Sequence, residues 1–135
     1  MANTFKKEKI LTTESNNPRE LAVMVGATGA LGKFVARRLV ASGLDLLAVG
    51  RSEKELKSLS ESSPHIRYCV ADISEDSSIE TIAQHVDKTV RMAIHAPGVP
   101  VAGGVLEASP LVLGQAVNIK AGGMLRLFRA VESHL

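Results

Sequence analysis

A glycine-rich turn between an apolar strand and an amphipathic helix constrains the fold of this chain more than any other feature. The apolar run Leu21–Val25 leads into the turn GATGALG, and a helical pattern covers residues 30–42. Glycine lets a phosphate approach the backbone because no Cβ intrudes, and a helix N-terminus offers free N–H groups to the anion. The spacing of Gly26, Gly29 and Gly32 predicts a pyrophosphate-binding loop; an ordinary tight turn is the alternative.

Strand and helix patterns alternate along the rest of the chain. They predict strands over residues 44–49, 66–71 and 89–95, and helices over residues 53–60, 76–85 and from Pro110 towards His134. Four strands that alternate with four helices indicate an α/β fold with a parallel sheet. We therefore expect a Rossmann-type parallel sheet with flanking helices.

Two of the helical patterns carry apolar stripes that predict buried faces. The stripe on the first helix consists of Leu31, Phe34, Val35, Leu39 and Val40. The stripe on the last helix is expected in the core or in an interface and consists of Leu125, Leu127, Phe128 and Val131. A fourth strand at an open sheet edge, with the last helix partly uncovered, favours self-association into a homo-oligomer.

Composition narrows the classes of function. The chain has 135 residues and a net charge of +2, which is too small to indicate nucleic acid or a membrane surface as partner. No apolar run in the sequence is long enough to span a bilayer. The single cysteine, Cys69, excludes an internal disulfide and fits a reducing compartment, so we expect a cytoplasmic protein. The four histidines lack the spacing of metal ligands, and no metal is predicted.

Two residues at the ends of later strands predict how a nucleotide is recognised. A free ribose 2′-hydroxyl usually meets Asp or Glu after the second strand, whereas a 2′-phosphate is met by Arg. This chain has Gly50-Arg51 there, which favours NADP over NAD; a solvent-exposed arginine at a helix start is the alternative. Asp72 follows the third strand, where it either accepts a hydrogen bond from an adenine amino group or caps a turn.

With these residues in place, the chain resembles the N-terminal half of a short-chain dehydrogenase/reductase. The segment VGATGALG, residues 25–32, resembles the family's TGxxx[AG]xG motif with Val in place of Thr. The motif implies cofactor contacts by Thr28, Ala30 and Leu31 besides the three glycines. The resemblance covers about residues 20–135 and implies a partial NAD(P)-binding Rossmann-type domain that is truncated after the fourth βα unit. Residues 1–19 are polar and are expected to form a flexible N-terminal arm.

The resemblance extends to three later positions. Gly50-Arg51 resembles the NADP-preferring form of the family, and Asp72-Ile73 resembles its adenine-contacting pair. The loop after the fourth strand lies where the family has its NNAG-type motif, without the usual Asn; the implied cofactor contacts there are Ala96, Pro97 and Gly98. Asn118 resembles the helix Asn of the family's catalytic tetrad, which implies a supporting catalytic role.

The family's chemistry requires residues that this chain lacks. In the family, hydride passes between nicotinamide and a carbonyl or alcohol carbon, Ser orients the substrate, and Tyr of a Tyr-x-x-x-Lys pair moves the proton. The one tyrosine here, Tyr68, falls on a predicted strand and is followed four residues later by Asp72. We expect the cofactor-binding half of an NADP-dependent oxidoreductase, inactive alone, whose full-length parent takes a small-molecule substrate. A non-catalytic NADP-binding regulatory or scaffold protein is the alternative.

Overall fold

The computed structural model describes residues 18–135, so the predicted arm lies outside the described residues except for Pro18 and Arg19. The strands are β1 (Leu21–Val25), β2 (Asp45–Gly50), β3 (Ile66–Val70) and β4 (Val90–His95). The helices are α1 (Ala30–Ala41), α2 (Glu53–Glu61), α3 (Ser78–Ala83), α4 (Pro110–Val117) and α5 (Gly123–Val131). A π-helical turn (Asn118–Gly122) joins α4 to α5, and a 3-10 turn (Glu132–His134) follows α5.

The four strands form one parallel sheet in the order β3-β2-β1-β4, which confirms the predicted Rossmann-type architecture. Val25 at the end of β1 pairs with Val49 of β2 and with His95 of β4. Because the strands end at the same level, the loops that follow them meet above one edge of the sheet. Within residues 18–135, β4 has no strand on its outer side, which agrees with the predicted open edge.

The core lies in two layers, one on each face of the sheet. Every residue of β1 is buried, as expected of a parallel strand that is covered on both faces. Leu21, Val23 and Val25 belong to the cluster that α3 and α5 cover. Ala22 and Met24 belong to the opposite cluster, which α1 and α2 cover. Because successive side chains of a strand point to opposite faces of the sheet, β1 contributes side chains to both core layers.

The predicted apolar face of α1 is wrong for two of its five members. Leu31 is 75% exposed and Phe34 is 64% exposed, whereas the buried positions of α1 are Gly32 and Ala36. The other three members of the stripe are partly buried and pack against the core: Val35, Leu39 and Val40. A search for apolar stripes at helical spacing does not identify small residues as the contact surface, although small side chains bring the helix axis close to the sheet.

The last predicted helix is helical from Pro110 to Val131 but is not one regular α-helix. The Asn118–Gly122 π turn lies within it, and a Cβ on Gly123, which opens α5, would meet His95 and Ile73. The predicted stripe on this helix is only half buried, because Leu127 and Val131 lie in the core while Leu125 and Phe128 are exposed. A π turn inserts an extra residue into the helical repeat, and the face that meets the sheet changes there.

Gly32 fixes how closely α1 lies against the end of β1. A Cβ atom at this position would lie 2.0 Å from the carbonyl oxygen of Gly26 and 2.9 Å from the carbonyl carbon of Ala27. Both neighbours are backbone atoms, which cannot rotate out of the way. The helix and the turn therefore fit together only when residue 32 has no side chain.

We predict that Gly32→Ala destabilises the protein by at least about 3 kcal/mol, because the methyl group overlaps backbone atoms. Gly114→Ala in α4 is the matched control, since a Cβ there meets nothing within 4 Å. The control should stabilise the helix by up to about 1 kcal/mol. Urea unfolding measures both changes, and equal stabilities of the two variants would contradict the steric argument.

A cluster of charges around Asp45 joins the amino ends of the strands. Its carboxylate accepts hydrogen bonds from Arg19 Nε at 2.9 Å, His65 Nδ1 at 3.0 Å and Lys88 Nζ at 2.5 Å. These residues precede β1, β3 and β4, and Arg19 also donates to two backbone carbonyls near the end of α1. Burial alone would raise the pKa of Asp45, but the hydrogen bonds from Lys88, His65 and Arg19, together with the positive charge of Lys88, outweigh it and lower the pKa.

We predict that Asp45→Asn lowers the free energy of unfolding by on the order of 2 kcal/mol at pH 7, since the charged acceptor is lost. The folded-state pKa of Asp45 lies below its unfolded value, so its stabilisation is present above the unfolded pKa and disappears as pH falls through the folded pKa. The difference between wild type and variant should therefore shrink below about pH 4.

Asp87→Asn is the control for this pH dependence. Asp87 pairs with Arg67 at 2.9 Å, but the two side chains are 61% and 43% exposed. An exposed pair contributes less than about 1 kcal/mol. A stability loss for Asp45→Asn that stays constant down to pH 2 would contradict the assigned role of the carboxylate.

Candidate functional site

A cavity of about 260 Å³ lies above the carboxyl ends of the strands, between β1 and β4. The strand order reverses there, and ligands of open α/β sheets bind at such a position. The sequence-predicted residues that line the cavity are Gly26, Thr28, Arg51, Asp72, Ile73, Pro97 and Gly98. Those that lie outside its wall are Gly29, Ala30, Leu31, Gly32, Ala96 and Asn118. The chain thus brings the ends of four separate segments to one place.

Gly26 allows the loops after β1 and β4 to touch through their backbones. Its φ of 91° is a left-handed conformation that favours glycine. A Cβ on Gly26 would lie 2.2 Å from the carbonyl oxygen of Ala96, and the Ala96 N–H donates to the Val25 carbonyl at 3.0 Å. The floor of the cavity is therefore made of backbone at a point where a side chain has no room.

The N-terminus of α1 is arranged to receive an anion. Gly29 is the N-cap, no side chain in the described chain caps it, and the first turn has no acidic residue. The opening N–H groups of a helix have no acceptor within the helix. A Cβ on Gly29 would meet its nearest atom only at 3.9 Å, so the space beside the turn is open. These features fit a phosphate group well.

Asp72 is held as an ionised acceptor at the cavity wall. One carboxylate oxygen, Oδ1, accepts from the Ser74 hydroxyl at 2.7 Å and from the Ser74 N–H at 3.0 Å. These two bonds lower the pKa of Asp72 against the effect of burial, and the positive charges of Arg51 and Arg126 lower it further. Oδ2 has no protein donor among residues 18–135. The turn therefore uses one oxygen and leaves the other unpaired.

His95 supports the wall on the side of the π turn. Its Nε2 donates to the carbonyl of Ile119 at 2.9 Å, which places the ring proton on Nε2 because a carbonyl only accepts. Within the described chain, its buried Nδ1 has no partner. A Cβ on Gly123 would lie 2.6 Å from His95 Cε1, so this glycine makes room for the ring. Ile119 itself lines the cavity.

Asn118 lies beside the cavity, and both polar atoms of its side chain are hydrogen-bonded. Its Nδ2 donates to the Ser74 carbonyl at 3.0 Å, and its Oδ1 accepts from Arg126 Nη2 at 2.9 Å. Neither Arg126 nor His95 is among the site residues predicted from the sequence. The one sequence signal near both contacts is the Gly122-Gly123 pair, two adjacent glycines within a predicted helix.

The KR domain family model matches residues 21–135, from the first strand to the end of the chain. The chain belongs to the KR domain family. This family is of the short-chain dehydrogenase/reductase type, which confirms the family resemblance inferred from the glycine turn and the strand ends. Among curated proteins, none matches the chain in sequence.

Solved structures share the fold of this KR domain chain. A short-chain dehydrogenase from Streptomyces avermitilis has a TM-score of 0.78 at 20% identity, over 87% of this chain and 45% of that one. A 3-ketoacyl-(acyl-carrier-protein) reductase from Brucella melitensis, complexed with NADH, has a TM-score of 0.76 at 18% identity, over 85% and 50%.

Actinorhodin polyketide ketoreductase with NADPH is a third such structure. Its TM-score is 0.75 at 23% identity, and the match covers 86% of this chain and 48% of that one. The KR domain chain thus spans about half the length of these structures. Within residues 18–135, no helix combines the length and apolar character needed to cross a bilayer.

Proposed function

We propose that the chain is the cofactor-binding half of an NADP-dependent oxidoreductase that interconverts carbonyl and alcohol groups by hydride transfer. The observation that carries this proposal is the uncapped N-terminus of α1, which opens beside the cavity that Arg51 and Asp72 line. When bound, NADP supplies or accepts the hydride. The part of the reaction that this chain performs is to bind and orient the cofactor.

Four parts of the chain each contact a different part of the cofactor. The turn from Gly26 to Gly32 and the first N–H groups of α1 hold the pyrophosphate. Arg51 lines the cavity at the end of β2, where its guanidinium pairs with the ribose 2′-phosphate. The unpaired Oδ2 of Asp72 accepts a hydrogen bond from the adenine amino group. The small loop residues from Ala96 to Gly98 allow close approach of the remaining nucleotide.

We also propose that this chain alone does not catalyse the reaction. Its one tyrosine, Tyr68, lies in β3, and its hydroxyl donates to Glu53 Oε1 at 3.4 Å. The sequence contains no Tyr-x-x-x-Lys pair that could carry a proton to the substrate oxygen. The same observation favours a non-catalytic NADP-binding regulatory or scaffold protein as the second candidate. Cytoplasmic localisation stays a prediction under either proposal.

We predict that NADPH raises the melting temperature more than NADH at equal concentration, because a ligand stabilises by RT ln(1 + [L]/Kd). Arg51→Asp should weaken NADPH binding by about tenfold to a hundredfold, since a charge-assisted contact with the 2′-phosphate is lost. The same variant should bind NADH as well as wild type or better. Calorimetric titration with both nucleotides measures these changes.

Arg37→Asp is the control, because it makes the same change of charge on exposed α1 without lining the cavity. It should leave the NADPH preference unchanged. Equal affinities of wild type for the two nucleotides would contradict the role of Arg51. The absence of binding by either nucleotide would overturn the proposed function. An assay of carbonyl reduction by this chain, combined with a C-terminal half that carries Ser and Tyr-x-x-x-Lys, separates the two candidates. Activity would support the oxidoreductase proposal, and NADP binding without activity would support the non-catalytic candidate.

We further propose that the chain self-associates through its uncovered apolar surface. The outer side of β4 is unpaired within residues 18–135, and Leu111, Leu125 and Phe128 are 72%, 58% and 55% exposed. Exposed apolar side chains and a free strand edge both promote association. We predict a dimer or larger species in sedimentation velocity, shifted towards monomer by Phe128→Arg. Lys33→Arg, a conservative change at an exposed position on α1, is the control, and a monomeric wild type would contradict the proposal.

A further inference from the structure

Arg126 joins the last helix to the loop after β3. Its side chain is only 13% exposed although it extends from the surface of α5. Nη1 donates to the carbonyls of Ile73 at 2.9 Å and Asn118 at 3.3 Å, and Nη2 donates to Asn118 Oδ1 at 2.9 Å. Nε donates to Asp76 Oδ1 at 2.8 Å. Four hydrogen bonds thus radiate from one guanidinium.

The hydrogen bonds of Arg126 and Asn118 form a closed ring across the two segments. Arg126 links Ile73 to Asn118, and Asn118 Nδ2 donates back to the carbonyl of Ser74. Guanidinium presents its N–H groups in a fixed fork, so several acceptors are held at set angles at once. Removing the hydrogen bonds of either side chain therefore weakens the link between the loop after β3 and the π turn.

Gly122 provides the space in which this ring forms. A Cβ on Gly122 would lie 2.9 Å from Asn118 Oδ1 and 3.1 Å from Arg126 Nη1. A side chain there would separate the amide from the guanidinium. The glycine, the asparagine and the arginine are therefore one arrangement, which we call the Arg126 clasp.

The residues held by the clasp are walls of the nucleotide cavity. Ile73 accepts directly from Arg126, and its neighbour Asp72 is stabilised as a carboxylate in part by the charge of Arg126. On the other side, Ile119 follows Asn118 and lines the same cavity. The clasp thus sets the distance between two walls that come from chain segments more than forty residues apart in sequence.

We propose that Arg126 is a positioning residue for the adenine half of the cofactor, acting through the Asn118 amide and the Ile73 carbonyl. The proposal rests on the proposed cofactor function of the cavity. Arg126 and Asn118 hold Asp72, Ile73 and Ile119 at the spacing that the nucleotide needs. The Asp76 ion pair contributes little, because the Asp76 side chain is 87% exposed.

The first test measures the free protein by hydrogen exchange. Arg126→Met keeps the aliphatic length and removes the donors, so amide exchange in residues 72–77 should accelerate. Arg129→Met is the matched control, since Arg129 is an exposed arginine three residues further along α5, and it should leave that exchange unchanged. Exchange in residues 72–77 that equals wild type in Arg126→Met would overturn the clasp whether or not any nucleotide binds.

The second test titrates adenosine 2′,5′-bisphosphate, a probe that carries adenine and a 2′-phosphate without nicotinamide. Arg126→Met and Asn118→Ala should each weaken its binding by about tenfold, because each removes hydrogen bonds that hold the two cavity walls together. The double variant should lose no more than either single variant, because each opens the same ring. Losses that multiply in the double variant would overturn the proposed coupling.

Two further variants distinguish positioning from general stability. Val131→Ala truncates a fully buried core residue of the same helix and lowers the melting temperature without touching the clasp. It should keep wild-type affinity for the probe, and a matching loss of affinity would show that Arg126 acts only through stability. Arg126→Lys serves if Arg126→Met does not fold, and it should also lose affinity because an ammonium lacks the planar fork. Wild type that binds no probe would refute the proposed function, while the exchange test still decides the clasp.

Discussion

The fold depends on two places where backbone meets backbone with no side chain between. Gly26 lies against the Ala96 carbonyl, and Gly32 lies against the Gly26 carbonyl. A methyl group at either point would force apart elements that the sheet holds in register. The same close packing directs the uncapped start of α1 towards the crevice between β1 and β4. The close glycine contacts that the fold requires therefore also present free N–H groups to an anion.

Charge is used differently at the two ends of the sheet. At the amino ends, the Asp45 carboxylate is paired with Arg19 and Lys88 and hydrogen-bonded to His65, so its charge is compensated and it holds the strand starts together. At the carboxyl ends, Arg51 lines the cavity and one oxygen of Asp72 has no donor within the described chain. Compensated groups stabilise the fold, whereas groups with remaining hydrogen-bonding capacity are suited to a ligand. The proposed cofactor site lies at the second kind of end.

The wall formed by the π turn shows where sequence reasoning stops. Asn118 is identifiable from its motif, but the motif does not reveal that its amide bonds Ser74 and Arg126. The role of His95 is equally hidden, because its acceptor is a backbone carbonyl of the π turn, 24 residues away in sequence. Such contacts join residues distant in sequence, and no local periodicity encodes them. A pair of adjacent glycines within a helix is the one visible trace.

The sequence by itself determined the order of strands and helices, the glycine turn and the membership of the short-chain dehydrogenase/reductase family. All three can be inferred from residues that are close together in sequence. Apolar runs mark buried strands, apolar periodicity marks helices, and glycines at fixed spacing mark the turn between them. Only the tertiary structure decided that small residues of α1, and not Leu31 and Phe34, face the sheet. It also decided the π turn in the last helix and the partners of Arg126. These features depend on how closely helices, strands and loops approach one another in space. That distance is set by steric fit between different segments, and the residue pattern of a single segment carries no information about it.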